Sequence, residues 1–126
     1  MARRPGLRGR AASVAHALHG IARLVRGEPN ARIHAAATLS VLALGAWLGL
    51  GRLEWAALVL AIGAVWAAEA LNSAFEALCD AVRPEPDPRV ARAKDLAAGA
   101  VLLAALAAAA VGVLVLGPPL AARLAG

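Results

Sequence analysis

The sequence predicts an all-α integral membrane protein with an N-terminal amphipathic surface helix followed by three transmembrane helices. Of its 126 residues, 61% are hydrophobic, and the mean hydropathy is +0.69. A soluble domain of this size cannot bury so much apolar surface. The chain also contains three long apolar segments, and a membrane-spanning helix needs about 20 apolar residues. We treat residues 1–126 as a single domain.

The whole chain has a net charge of +5, and its basic residues are concentrated near the N-terminus. Those within the first 32 positions are Arg3, Arg4, Arg8, Arg10, Arg23, Arg26 and Arg32. A basic segment beside the first span places the N-terminus in the cytoplasm and faces anionic lipid. This distribution argues against a nucleic-acid partner, which the high pI alone would allow.

The first helix is predicted over residues 11–27. Val14, Leu18, Ile21 and Val25 recur at helical spacing, and the histidines and arginines of this segment occupy the other faces. This pattern is typical of an amphipathic helix lying in the membrane interface, and the segment is too polar to span.

Three spans follow, and short breaks separate them. They are predicted at residues 32–50, 55–82 and 95–117. The loop at 83–89 contains three prolines, and Pro118 with Pro119 is expected to end the third span. The predicted topology has a cytoplasmic N-terminus and an external C-terminus.

A polar stripe runs along the second span. Glu69, Asn72, Glu76 and Asp80 follow one another at intervals of three, four and four residues, which places them on one side of a helix. A carboxylate at membrane depth is costly and indicates a functional site. The alternative for Glu69 is a structural carboxylate that is hydrogen-bonded to Asn72 or to a neighbouring helix. For Asp80 we favour solvation of a helix end.

Other charged residues are expected at the same membrane face. Magnesium is usually held by one or two carboxylates together with substrate phosphates, so Glu28 and Glu76 are a candidate pair. Lys94 can meet a phosphate as a point charge, and Glu69 can serve as a general base. Taken singly, Glu28 is also explained as a helix cap and Lys94 as a side chain reaching the headgroups.

Two motifs carry a family resemblance. The first is Glu69-x-x-Asn72-Ser-Ala-Phe-Glu76-x-x-x-Asp80, and the second is Ala93-Lys94-Asp95-x-Ala-Ala-Gly99. Together they resemble the signature of the prokaryotic diacylglycerol kinase family. The resemblance implies a small homotrimeric lipid kinase whose active sites are shared between subunits. It also implies the bacterial inner membrane, with the active site facing the cytoplasm.

The resemblance also implies roles for individual residues. Glu69 would be the catalytic base, Glu28 and Glu76 would hold Mg²⁺, and Glu69 and Asn72 would bind the lipid. The residues implied to bind ATP are His16, Glu28, Glu76, Glu85, Lys94 and Asp95. For His16, a simple interface residue is an equally good interpretation.

The segment Glu28-x-Asn30-x-Arg32-Ile33-His34 resembles the undecaprenol kinase branch. We therefore predict undecaprenol as the phosphorylated alcohol, with diacylglycerol as the alternative. His34 itself is interpreted as an interfacial packing residue. Outside the kinases, a proton- or ion-conducting oligomer and a non-catalytic scaffold stay open. The kinase is favoured because a proton relay has no use for a cationic loop that can bind phosphate around Lys94, and a scaffold needs no intramembrane carboxylates.

Overall fold

A computed structural model describes residues 7–126, and these fold into four helices without a strand. The helices are α1 (Leu7–Gly27), α2 (Pro29–Leu48), α3 (Arg52–Val82) and α4 (Pro88–Ala125). The last three are long and apolar enough to cross a membrane, as predicted. Arg3 and Arg4 of the predicted basic segment lie outside the described residues.

The junction between α1 and α2 is a single-residue break at Glu28. Its backbone is extended, with φ −101° and ψ 122°, and Pro29 follows at the first position of α2. Proline suits that position because its φ is already helical and its missing N–H is not needed there. The Arg32 guanidinium donates to the Arg26 carbonyl at 3.1 Å across the break. This bond ties the start of α2 to the end of α1.

A tight turn joins α2 to α3. Gly49 ends α2 with φ +70°, and its N–H donates to the Gly45 carbonyl at 3.1 Å. Left-handed backbone of this kind favours glycine. Gly45 is also required, because a Cβ there would lie 2.9 Å from the Trp55 ring. Glu54 closes the turn by accepting a hydrogen bond from the Gly51 N–H at 2.6 Å.

Helix α4 is longer than the sequence predicts at both ends. It begins at Pro88, where Asp87 Oδ1 accepts a hydrogen bond from the Arg89 N–H at 2.8 Å. It continues through Pro118 and Pro119 to Ala125, so our expectation that these prolines end the helix is wrong.

Tertiary contacts around the two prolines explain why α4 continues. Leu116 is buried against Leu48 and Leu58, and Leu120 packs on the same cluster. The Arg123 guanidinium lies 4.9 Å from the centre of the Trp47 ring, a cation–π contact. These contacts on both sides of the prolines stabilise the last turns. Membrane helices tolerate proline where neighbouring helices support the backbone.

The three long helices bury little of their own apolar surface. Helix α3 packs most extensively along α4, whereas α2 makes fewer contacts with either. Large apolar side chains are exposed along all three helices, among them Ile33, Leu39, Leu60, Leu71, Leu103 and Leu114. So much exposed apolar surface is compatible with lipid or with further subunits, and not with water.

Candidate functional site

The length of α3 places the polar stripe at a membrane surface. Its 31 residues extend beyond a bilayer core, because about 20 residues already span roughly 30 Å. Counted from Arg52 at the α2–α3 turn, that distance ends near Asn72. By this count Glu69 lies near one edge of the hydrocarbon, and Glu76 and Asp80 lie beyond that edge.

Glu69 is the one buried charged side chain among the described residues, with 3% of its surface exposed. His34 of α2 reaches it, and His34 Nε2 lies 2.8 Å from Glu69 Oε1. At that separation a proton must lie between the two atoms, because two lone pairs would repel. We interpreted His34 as a packing residue from the sequence, and the structure instead brings it to the predicted base.

A pocket of about 250 Å³ opens beside Glu69. Asn30, Ile33 and His34 line it from α2, and α4 contributes small or apolar side chains: Ala98, Val101, Leu102 and Ala105. Three helices thus surround the carboxylate without filling the space next to it. A small polar group attached to an apolar chain fits such a pocket.

Asn72 and Glu76 form the next part of the stripe. The Asn72 amide nitrogen donates to Glu76 Oε1 at 3.4 Å. The Asn72 Oδ1 atom is buried and has no hydrogen-bond partner among the described residues. An unsatisfied buried oxygen typically costs about 1–3 kcal/mol, so a bound group that meets it would be stabilised.

This donor set suits magnesium, because carboxylate and amide oxygens are the ligands that hard cations prefer. No group of three or more His, Cys, Asp or Glu side chains within the described ranges is arranged to hold a metal. At phosphoryl-transfer sites, magnesium is usually bound by one or two carboxylates together with substrate phosphates.

Lys94 lies at the edge of a cleft of about 550 Å³ between α3 and α4. Its ammonium group is bound to Asp80 Oδ1. Glu85 and Arg83 line the same cleft. The cleft thus presents charges of both signs to solvent. The pairing with Asp80 was not predicted, since we assigned Asp80 to solvation of the helix end.

Three predicted site residues stand apart from these contacts. Glu28 is half-buried at the α1–α2 break, and its side chain makes no capping hydrogen bond. His16 is exposed on α1, and Asp95 is exposed near the start of α4. No hydrogen bond or ion pair joins any of the three to the α3 carboxylates in the described part of the chain. Their roles stay predictions.

A longer apolar groove of about 600 Å³ runs between α2, α3 and α4. Its lining includes His34, Val41, Leu58, Val65, Gly112 and Leu116. His34 and Ala105 line both the groove and the Glu69 pocket. An extended apolar molecule lying in the groove would therefore have one end beside Glu69.

Comparison with known proteins identifies the family of this chain. The family described as prokaryotic diacylglycerol kinase matches residues 15–116. The chain belongs to the prokaryotic diacylglycerol kinase family. The resemblance that we drew from the two motifs is therefore confirmed.

Two relatives with assigned activities cover most of this chain. An undecaprenol kinase of Bacillus subtilis is 38% identical over 108 residues, which are 86% of this chain and 88% of that protein. A diacylglycerol kinase of Synechocystis sp. is 38% identical over 109 residues, which are 86% of this chain and 62% of that protein. Family and relatives alike identify a lipid kinase, which confirms the predicted enzyme class.

Proposed function

We propose that this lipid kinase transfers the γ-phosphate of ATP to the hydroxyl group of undecaprenol. The observation that carries the proposal is Glu69, a buried carboxylate beside a pocket that continues into an apolar groove. The undecaprenol kinase relative supports the choice of lipid, because the match extends along nearly the whole of both chains. The segment from Glu28 to His34 supports it as well.

Glu69 would accept the proton of the lipid hydroxyl as that oxygen attacks the γ-phosphate. A carboxylate at the inner edge of the hydrocarbon can reach an alcohol whose tail stays among lipids. Asn72, one helical turn closer to the surface, would orient the hydroxyl or the Glu69 carboxylate. Phosphoryl transfer needs mostly positioning and charge neutralisation, so a base and a few polar groups are sufficient.

Glu28 and Glu76 would hold Mg²⁺ against the phosphates of ATP. When bound, the metal would neutralise charge on the phosphate oxygens during transfer. Lys94 would contact a phosphate, and Asp95, Glu85 and His16 would contact the nucleotide. Because Lys94 is paired with Asp80 in this structure, it would have to exchange that carboxylate for a phosphate oxygen.

The groove between α2, α3 and α4 would hold part of the polyprenyl tail. Its lining is apolar, and its two ends differ, since only the His34 end adjoins the carboxylate. An alcohol bound there would place its tail along α4 and its hydroxyl beside Glu69. The methyl-branched tail of a polyprenol is wide, and the small residues on α4 leave it room.

A homotrimer in the bacterial inner membrane, with sites facing the cytoplasm, completes the proposal. Exposed apolar side chains along α2, α3 and α4 support burial against other subunits as well as lipid. Glu28 and His16 make no bond to the α3 carboxylates within the described residues, which supports sites shared between subunits. The basic N-terminal segment supports the cytoplasmic orientation.

Diacylglycerol is the second candidate substrate, because one relative is a diacylglycerol kinase. Purified protein with Mg-ATP and either alcohol in mixed detergent micelles separates the two. We expect phosphate transfer to undecaprenol at a higher kcat/KM than to diacylglycerol. The opposite order would identify diacylglycerol as the preferred substrate. Transfer to neither alcohol would reject the kinase reaction.

A further inference from the structure

His34 holds a position that the reaction outlined above leaves without a role. It lies on α2, opposite Glu69 on α3, with Nε2 and Oε1 separated by 2.8 Å. It also lines both the Glu69 pocket and the apolar groove. The one buried carboxylate in the described part of the chain thus meets a histidine at the junction between the two cavities.

A carboxyl group buried at this depth needs a hydrogen-bond partner, because an unpaired polar group is costly in apolar surroundings. No other hydrogen bond or ion pair reaches Glu69 from the described residues, so His34 is the donor available to it. The proton between the two atoms must reside on His34 Nε2 if Glu69 is to be a base. One carboxylate oxygen is then held, and the other is left to receive the proton of the lipid hydroxyl.

We infer that His34 is a positioning residue that binds one carboxylate oxygen of Glu69 and so fixes which of its oxygens meets the lipid hydroxyl. This inference rests on the proposed role of Glu69 as the base. It does not depend on which alcohol is phosphorylated, since the contact is within the protein. His34 itself transfers no proton to or from substrate in this assignment.

The same helix pair offers an internal control. Trp66 Nε1 on α3 donates to Thr38 Oγ1 on α2 at 3.0 Å. Thr38 lies one helical turn from His34, and Trp66 lies nearly one turn from Glu69. Both contacts join α2 to α3, but only the one at His34 touches the predicted base. Removing each in turn separates positioning of Glu69 from general packing of the two helices.

The test compares His34→Leu, His34→Gln, His34→Asn and Trp66→Phe, each assayed with the alcohol that the wild-type protein phosphorylates; Trp66→Phe removes the N–H that bonds Thr38. Glutamine can place an amide N–H near the position of Nε2, whereas asparagine is too short to reach it. We expect kcat to fall about 100-fold in His34→Leu and His34→Asn, as for a misplaced catalytic group. The KM for Mg-ATP should stay within about twofold, because Glu69 is not a nucleotide contact in this scheme. His34→Gln and Trp66→Phe should retain most of the wild-type kcat.

Three results would overturn the inference. They are a normal kcat in His34→Leu, equal activity in His34→Gln and His34→Asn, and a loss in Trp66→Phe as large as in His34→Leu. The last would show that the contact only holds the helices together. A wild-type protein that phosphorylates no lipid alcohol is a separate outcome, because it would remove the proposed function before any variant is compared.

Discussion

Lys94 is paired with Asp80 in the structure, and in the proposed reaction it exchanges this partner for a phosphate oxygen. The ammonium group of Lys94 is bound to Asp80, and the Asp80 side chain is 68% exposed. An exposed ion pair of this kind is weak, because water and salt screen it. A multiply charged phosphate can therefore displace the Asp80 carboxylate from Lys94.

This competition predicts opposite effects for two substitutions. Lys94→Met should raise the KM for Mg-ATP at least about tenfold, because a charge-assisted bond to phosphate is lost. Asp80→Asn should leave that KM unchanged or lower it a few-fold, since Lys94 then has no ion pair to break before it binds the phosphate. Steady-state kinetics with varied Mg-ATP measure both. If Asp80→Asn were as impaired as Lys94→Met, Asp80 would belong to the nucleotide site itself.

The sequence predicts which polar residues lie together where they share one helix. Glu69, Asn72, Glu76 and Asp80 are recognised as a stripe because a helical period relates them. The contact between His34 and Glu69 has no such signal, since it depends on how α2 and α3 pack against each other. The same is true of Asp80 and Lys94, which lie on either side of a loop.

At the scale of elements, the start of α4 depends on Asp87. Its side chain accepts from the Arg89 N–H and also bonds the Arg89 guanidinium at 2.9 Å. These bonds to Arg89, the side chain first, lower the pKa of Asp87 from its ordinary value of 3.8. Because the pKa of Asp87 is lowered in the folded state, its ionised carboxylate stabilises the fold at pH values above the ordinary pKa. This stabilisation is lost as the pH falls through the lowered pKa.

The pH dependence of stability is therefore predicted to change in Asp87→Asn. Asparagine still caps the helix, but it cannot ionise. At neutral pH the variant should unfold at a lower temperature than the wild type, and the difference should shrink below about pH 4. Thermal unfolding followed by circular dichroism in a non-ionic detergent measures this. A difference that is independent of pH would show that the Asp87 charge contributes nothing.

The apolar groove is the element-scale feature that bears on the lipid. Gly112 of α4 lines it, and a Cβ at Gly112 would meet no atom within 4 Å. Gly112→Leu should therefore project into the groove without disturbing the helices. We expect kcat/KM for undecaprenol to fall several-fold, while activity on a short-chain prenol changes little.

The matched control for this prediction is Gly63→Leu on α3. A Cβ at Gly63 also meets nothing within 4 Å, and Gly63 does not line the groove. Activity of that variant toward undecaprenol should stay near the wild-type level. Equal losses in both variants, or equal losses for long and short prenols, would place the tail elsewhere.

At the scale of the whole molecule, hydropathy predicts three spans, and residues 7–126 contain three helices of the required length and composition. The ends of these helices are less predictable. Proline chemistry alone suggested that α4 stops at Pro118, yet contacts of Leu116, Leu120 and Arg123 with other helices carry it to Ala125. Local rules fail here because tertiary packing outweighs the lost backbone bonds.

The orientation in the membrane yields a further prediction. Cys79 is the one cysteine of the chain, and it lies between Glu76 and Asp80 at the predicted cytoplasmic face. In intact spheroplasts, a membrane-impermeant maleimide should not label it. A Gly126→Cys variant in a Cys79→Ala background should be labelled, because Gly126 is exposed at the predicted external end. Labelling with the reverse pattern would place the carboxylates outside the cell.

The proposed reaction depends on Glu69 acting as the base in transfer of phosphate to a lipid alcohol. The most direct test is γ-phosphate transfer to undecaprenol in mixed micelles by the wild type and by Glu69→Gln. Glu54→Gln serves as control, because Glu54 is on the same helix but bonds the backbone at the opposite end. We expect Glu69→Gln to lose at least about 100-fold in kcat, as when a general base is removed, and Glu54→Gln to lose little. Near-normal transfer by Glu69→Gln would contradict the account.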